Sequence, residues 1–329
     1  MISAVGVCAQ TTPATAGGTQ LTAEQKNLLS EAVRLSQQVV QLNASGKFDE
    51  AMPLAKRAVE LRRSVYGDNH QLVADGLSNI AALHFGNKRY DQAESLYKEA
   101  LASYDGASIT TQNTAYVLDS LTSLRWRVRD YNKAEHYGKR AIDAREKLFG
   151  AKSPRVLESV QNLIKVYESD GKETERNALY LRVLTLSEDA KDITGQNAQS
   201  LVAYHCWLSD AKQTPDADEL KKRIENLLGW RPGTQANVLT GGVLNGRALS
   251  LPKPAYPIQA REARVAGQVV VQVEIDECGK VIDAQVLSGP IELRSTSLVS
   301  AKNARFTPTL IGKHPFKVRG IIHYNFVRQ

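Results

Sequence analysis

Phe48, Tyr90 and Tyr131 lie 42 and 41 residues apart, and each is followed three positions later by an alanine, Ala51, Ala93 and Ala134. Seven residues further on stand Ala58, Ala100 and Ala141. Small side chains therefore recur two turns apart on one helical face, where a second helix can approach closely. Leu54, Leu96 and Tyr137 fill the same face, and the helix preceding each aromatic also repeats. It carries Ile80, Leu121 and Leu163 in register, then Leu83, Leu124 and Val166 three residues on. A period that contains both helices of a hairpin restricts this region to a stacked array, each unit burying its apolar face on its neighbours. A degraded fourth unit runs from Gly171 to about Asp189, with Thr174 at the aromatic position.

Local signals agree with that period. Tyr66-Gly67 and Phe149-Gly150 end two units, and Ser153-Pro154 opens the next helix with a capping hydroxyl and a proline tolerated in the first turn. Thr22 to Leu42 has helical spacing and supplies the first helix of the first unit. These units resemble tetratricopeptide repeats, in the longer form of kinesin-light-chain-like proteins, with Tyr66 to Leu101 fitting especially well. The resemblance implies a superhelix whose concave surface suits extended peptides or partner helices. Asn79, Arg125, Arg129 and Asn162 are the groove candidates. Asn197–Lys212 and Asp216–Leu228 read as two further helices, the second a polar-faced cap, so the helical domain is expected over 21–229.

From Gly229 to Ser250 there are five glycines, one proline and little periodicity, so 230–252 reads as an inter-domain linker. Gly241-Gly242-Val243-Leu244-Asn245-Gly246 lacks the Gly-Lys-Ser/Thr ending of a phosphate-binding loop. Beyond it, Val269, Val271, Val273 and Ile275 alternate as a strand. Asp276-Glu277-Cys278-Gly279 supplies a turn, and Lys280–Ser288 returns with Ile282, Ala284 and Val286. Leu293, Leu298, Ala301 and Ala304 have helical spacing, and Phe316–Val327 reads as a long closing strand. Tyr256-Pro257 introduces a short helix through Arg264, broken by Gly267.

The Tyr-Pro entry, the Gly-x-Val-x-Val strand, the Ile-Asp-x-x-Gly turn, the helix ending in Arg305-Phe306 and the Gly-x-Ile-x-Tyr-x-Phe strand resemble, in this order, the TonB C-terminal domain across 253–329. Ser295, Thr296, Ser297 and Ser300 replace some of that family's helical alanines. The expected fold class is therefore α+β in two domains, an all-α tetratricopeptide superhelix followed by a small TonB-like domain with an antiparallel sheet. In that family the C-terminal strand receives a short segment of an outer-membrane transporter as an added strand, which is β-augmentation. The resemblance carries that role onto Lys317, Val318, Arg319, Gly320, Ile321, Ile322, His323, Tyr324, Asn325 and Phe326, provided the backbone row there is vacant. A vacant row could equally pair with its own copy, giving a homodimer through this strand.

Composition narrows the remaining classes. Residues 250–329 hold eleven Lys/Arg against six Asp/Glu, so much of the net charge of +7 sits in the tail, yet it is scattered along strands with no basic helix or stacking platform for nucleic acid. None of the six histidines has a partner at metal-site or HExxH spacing, and no G-x-S-x-G elbow occurs. The reading is of a non-enzymatic chain without metal or cofactor. Three cysteines form no CxxC pair, and a Cys206–Cys278 disulfide is left open. Met1–Gln10 reads as the apolar end of a truncated leader and Thr11–Gln20 as a flexible arm, together 1–20, which places the chain in the periplasm. A longer native form with an upstream inner-membrane anchor would add a motor complex to its partners. The expected function is a TonB-family transducer or adaptor gripping a transporter; the alternative is a repeat scaffold with a structural or self-associating tail.

Overall fold

The computed structural model describes residues 20–190, 193, 195–210, 216–233 and 238–327. The leader and arm expected over 1–20, Gln20 apart, lie outside them. Eight helices form the array: α1 (Ala23–Ala44), α2 (Phe48–Tyr66), α3 (Gln71–Gly86), α4 (Tyr90–Gly106), α5 (Gln112–Arg127), α6 (Tyr131–Phe149), α7 (Leu157–Asp170) and α8 (Glu173–Ala190). The repeated aromatics are the first residues of α2, α4 and α6. Ala51, Ala93, Ala134, Ala100 and Ala141 are completely buried, and Ile80, Leu121 and Leu163 join them in the core. The small-residue stripe is thus the surface on which helices close together. Among the described residues no helix is long and apolar enough to cross a membrane.

The four hairpin turns share one backbone solution. Gly46, Lys88, Arg129 and Gly171 occupy the same place in each and all take positive φ, at 72°, 60°, 62° and 74°. The next residue donates its N–H back to the carbonyl five positions earlier: Lys47 to Leu42, Arg89 to His84, Asp130 to Arg125 and Lys172 to Tyr167, at 2.9 to 3.0 Å. This satisfies a carbonyl that the helix end would otherwise leave unpaired. Two of the four turns thus hold a bulky residue where glycine is easier.

Two partly buried charge networks tie the helices together. Arg145, on α6, donates to Asp119 of α5 at 2.8 Å and to Ser159 of α7 at 2.7 Å. It also reaches Glu158 at 2.6 Å, so one guanidinium joins three helices. Nearby, Glu135 accepts from Tyr167 at 3.1 Å and Lys172 at 2.6 Å and pairs with Lys139 at 2.7 Å. Burial raises its pKa, but the hydrogen bonds from Lys139, Lys172 and Tyr167 outweigh that and bring it to about 2.

The chain divides into two compact units, one ending at Leu179 and the other beginning at Tyr180. The second unit begins within α8, at Tyr180, and contains α9 (Gly195–Asp210), α10 (Ala217–Leu228), α11 (Ile258–Glu262) and α12 (Ile291–Lys302). Its strands are β1 (Val238–Val243), β2 (Ala248–Ser250), β3 (Gly267–Ile275), β4 (Val281–Ser288), β5 (Arg305–Phe306), β6 (Thr309–Ile311) and β7 (His314–Phe326). The main sheet runs β1-β7-β3-β4, with β6 also on β7, and β2 pairs β5 separately. The hairpin, the covering helix and the closing strand lie where alternation and helical spacing put them. Val269, Val271, Val273, Ile275, Leu293, Ala301, Ile322 and Phe326 form the core between sheet and helix.

Two features differ from the sequence reading. α9 and α10, expected with the repeats, fall in the sheet's unit, where a Cys206–Cys278 disulfide fastens α9 to the β3–β4 turn. Gln199 donates to the Pro308 carbonyl at 3.1 Å, and Lys280 pairs with Asp210. Helical spacing marks an apolar face without naming the neighbour that covers it. The stretch 230–252, expected as a linker, carries β1 and β2, and β1 lies parallel to β7 in a sheet otherwise antiparallel.

Replacing Arg129 by glycine is expected to stabilise the protein by about 0.5–1 kcal/mol, the left-handed strain of roughly 1–2 kcal/mol less the larger unfolded-state entropy of glycine; urea unfolding checks the sign. Glu135 ionises more readily folded than unfolded, so its contribution is present above about pH 4.5 and is lost as pH falls towards about 2. Urea midpoints measured across that window should fall less steeply for Glu135→Gln than for the unmodified protein.

Candidate partner-binding surfaces

In the repeat unit, α1, α2 and α3 enclose a cleft lined by Ser36, Val39, Asn43, Arg62, Asn79 and Leu83. Arg62 donates to the Ser36 hydroxyl at 2.8 Å. Burial lowers its pKa while neighbouring Asp75 opposes that shift. Asp75 in turn accepts from Asn113 at 2.7 Å and from the Tyr104 hydroxyl. The result is an apolar cleft edged by amide, hydroxyl and guanidinium groups, a combination suited to backbone as well as apolar side chains.

Of the four groove candidates, only Asn79 lines this cleft. Asn162 donates to Asp119 at 3.2 Å and serves the buried Arg145 network. Arg125 is held by Glu94 and Asp130. Arg129 is the left-handed turn residue between α5 and α6. Repeat periodicity located the helices, but it could not say which polar residues have partners on the next helix. Ser36, Asn43 and Arg62 were missed; their signal was polar residues at helical spacing, Ser36 and Asn43 two turns apart on α1 and Arg62 one turn beyond Ala58 on α2.

In the sheet unit, β7 presents the alternation that its sequence forecast. Val318, Gly320, Ile322, Tyr324 and Phe326 are buried, whereas Lys317, Arg319, Ile321, His323 and Asn325 occupy the other face. Arg319 pairs with Glu274 at 2.7 Å and Asn325 accepts from Gln268 at 2.9 Å. Burial pushes the Tyr324 hydroxyl up to about 12. One edge of β7 pairs with β3 from Val318 to Phe326.

The expected vacancy along the other edge is corrected by the structure. β1 runs parallel to it with Val238 opposite Lys317, Leu239 opposite Val318 and Thr240 opposite Arg319; after a bulge, Val243 lies opposite Ile321. The Leu244 N–H donates to the Ile321 carbonyl at 2.9 Å. Asn245 then imitates one more strand residue: its Nδ2 donates to the His323 carbonyl at 2.7 Å, and its Oδ1 accepts the His323 N–H at 2.8 Å. β6 covers His314–Phe316. The main-chain row is therefore occupied through His323, which also removes the vacancy that a homodimer through β7 requires there.

Close packing holds this cover in place. Leu244 is 2 % exposed and sits over Gly320, where an added Cβ would come within 2.5 Å of the leucine and 2.8 Å of the Gly242 carbonyl oxygen. Any other residue at 320 would push the segment away. A glycine-rich stretch reads as a linker because it lacks alternation, and here the glycines are what let one backbone lie against another. The short Val238-Leu239-Thr240 run was the available strand signal. At the far edge of the sheet, β4 pairs only with β3 among the described strands.

Two tetratricopeptide-repeat profiles match residues 30–105 and 114–155, and the profile of the Gram-negative bacterial TonB protein C-terminal domain matches 252–327. The chain carries tetratricopeptide repeats followed by a TonB C-terminal domain. Human tetratricopeptide repeat protein 19, mitochondrial, is 41% identical over 69 residues, which is 21% of this chain and 17% of that protein. The rat protein of the same name is 39% identical over 69 residues, 21% of this chain and 18% of its own. The chain thus spans less than a fifth of the curated relatives it matches. Among solved structures, BtubC (BKLC) from P. vanneervenii superposes with a TM-score of 0.52 at 19% identity, covering 66% of this chain and 94% of that one, which shows that the two share a fold. The TonB profile begins beyond β1, so the covering strand lies outside the matched domain.

Asn245→Ala should cost about 0.5–3 kcal/mol, because two backbone groups of His323 lose their partners. Urea unfolding measures the loss, and amide exchange should show His323 opening before Val271 and Val273.

Proposed function

We propose that this chain is a periplasmic protein adaptor: the repeat cleft holds one protein, and the TonB-like sheet engages an extended segment of an outer-membrane transporter. The observation that carries the reading is the pairing of two protein-interaction modules, tetratricopeptide repeats and a TonB C-terminal domain, in one chain. The Cys206–Cys278 disulfide supports an oxidising compartment, since such bonds are rare where thiols are kept reduced. The cleft around Asn43, Arg62 and Asn79 supports peptide recognition in the repeats. No catalytic role is assigned to either module.

A second reading is favoured by one specific observation, the pairing of β1 along β7. On that reading the repeats alone recognise a partner, and the sheet is a structural end piece fastened by the disulfide. Titration calorimetry of the full chain with synthetic peptides from transporter N-terminal segments separates the two. The adaptor reading expects micromolar binding that is lost when a proline replaces the central peptide residue, because proline removes a strand donor. No binding by any of the peptides, or binding indifferent to the proline, favours the end-piece reading.

A further inference from the structure

The parallel strand β1 is attached unevenly. Its N-terminal half, Val238–Thr240, follows β7 in step, yet none of its residues is buried, and Leu239 alone packs part of its side chain against the sheet core. Its C-terminal end is the reverse: Leu244 is buried over Gly320 and Asn245 clamps both backbone groups of His323. Between the two lies Gly242, with φ at +59° and nothing within 4 Å of the position a Cβ would take. A weakly held half, a glycine at positive φ beyond it and a firm anchor are the parts of a hinged strand. β3, by contrast, holds β7 in continuous register from Gly267 to Ile275.

We propose that β1 is an exchangeable occupant of the β7 edge, an internal stand-in that closes Lys317–Arg319 to other strands and leaves by swinging about Gly242 while Leu244 and Asn245 stay in place. The inference rests on the reading that this edge receives a partner strand. It also specifies that strand: an extended segment parallel to β7, with an apolar side chain at the site of Leu239 and a small residue beside Val318, where a Cβ on Gly241 would come within 2.6 Å. Thr240 and Arg319 are exposed register partners, so neighbouring polar positions are free to vary. A tethered strand competes at the high effective concentration that its short connection imposes. The apparent affinity of any incoming segment is accordingly reduced by the fraction of molecules in which β1 has swung out.

The test uses the full chain and a fluorescent synthetic peptide of residues Val238–Gly241, the part of β1 that leaves, read by anisotropy. Leu239→Asp, which removes the apolar contact, is expected to strengthen binding of this peptide about tenfold or more over the unmodified chain. Thr240→Cys combined with Arg319→Cys, oxidised to bridge the two strands, should abolish it, while each single substitution should not. Hydrogen exchange on the unmodified chain gives a readout independent of any variant's folding: the amides of Leu239 and Thr240 should exchange by local opening, well before those of Val271 and Val273. The proposal is overturned if β1 and β3 amides exchange at the same rate, or if the peptide binds the loosened, bridged and unmodified chains alike, which would place it on another edge such as β4. Transporter peptides are titrated into the same Leu239→Asp chain. If the Val238–Gly241 peptide behaves as expected and no transporter peptide binds, the hinged strand stands and the transporter reading falls.

Discussion

β7 can sit inside a sheet only because both of its main-chain edges find partners, and the rest of the second unit is arranged around that requirement. An unpaired amide in a region sealed from water costs as much as a hydrogen bond that is never made. β3 supplies one edge from Val318 to Phe326, β1 and the Asn245 side chain share the other from Lys317 to His323, and β6 pairs with the first residues of β7. The buried row Val318, Ile322, Tyr324 and Phe326 then has a rigid backbone to stand on, and α12 closes over it. The substitution of a side-chain amide for a strand residue at position 245 shows where pairing by backbone ends.

The repeat unit solves a different problem with similar economy. Alanines at two-turn spacing bring helices close, which leaves little room for polar groups between them, so those that lie there are joined into networks. Arg145 connects Asp119, Glu158 and Ser159, and Asn162 completes the set. Such a group is strongly destabilising to break and contributes modestly when whole, which suits the fixing of one helix register. The cleft between α1, α2 and α3 is one place where polar side chains, Asn43 and Asn79, line a cavity.

Much of the fold could be read from residue order. Period forty-two placed α2, α4 and α6 at Phe48, Tyr90 and Tyr131, and alternation placed β3 and β7. What could not be read depends on who meets whom. Lys88 and Arg129 carry no glycine signal for the left-handed turns they occupy, because their conformation follows from the helix-end hydrogen bond and the packing beyond it. Arg125 and Asn162 look like groove residues by position and are held by Glu94 and Asp119 on other helices. β1 was hardest: two adjacent glycines erase the period-two pattern, and its partner lies more than seventy residues away in the chain.

The two outer edges of the sheet are managed differently, and the difference bears on why a stand-in strand is useful. β4 is bulged near Ile282 and carries Asp283, features that discourage a second sheet from adding there. β7 is 13 residues long and buries an apolar residue at every second position from Val318, so bare it would invite pairing with its own copy. A permanent cover would end that hazard and any recognition with it. In the proposed role, a cover held firmly at Leu244 and Asn245 and lightly at Val238–Thr240 protects the edge in the free protein and would admit only a segment whose fit at the Leu239 site exceeds its own.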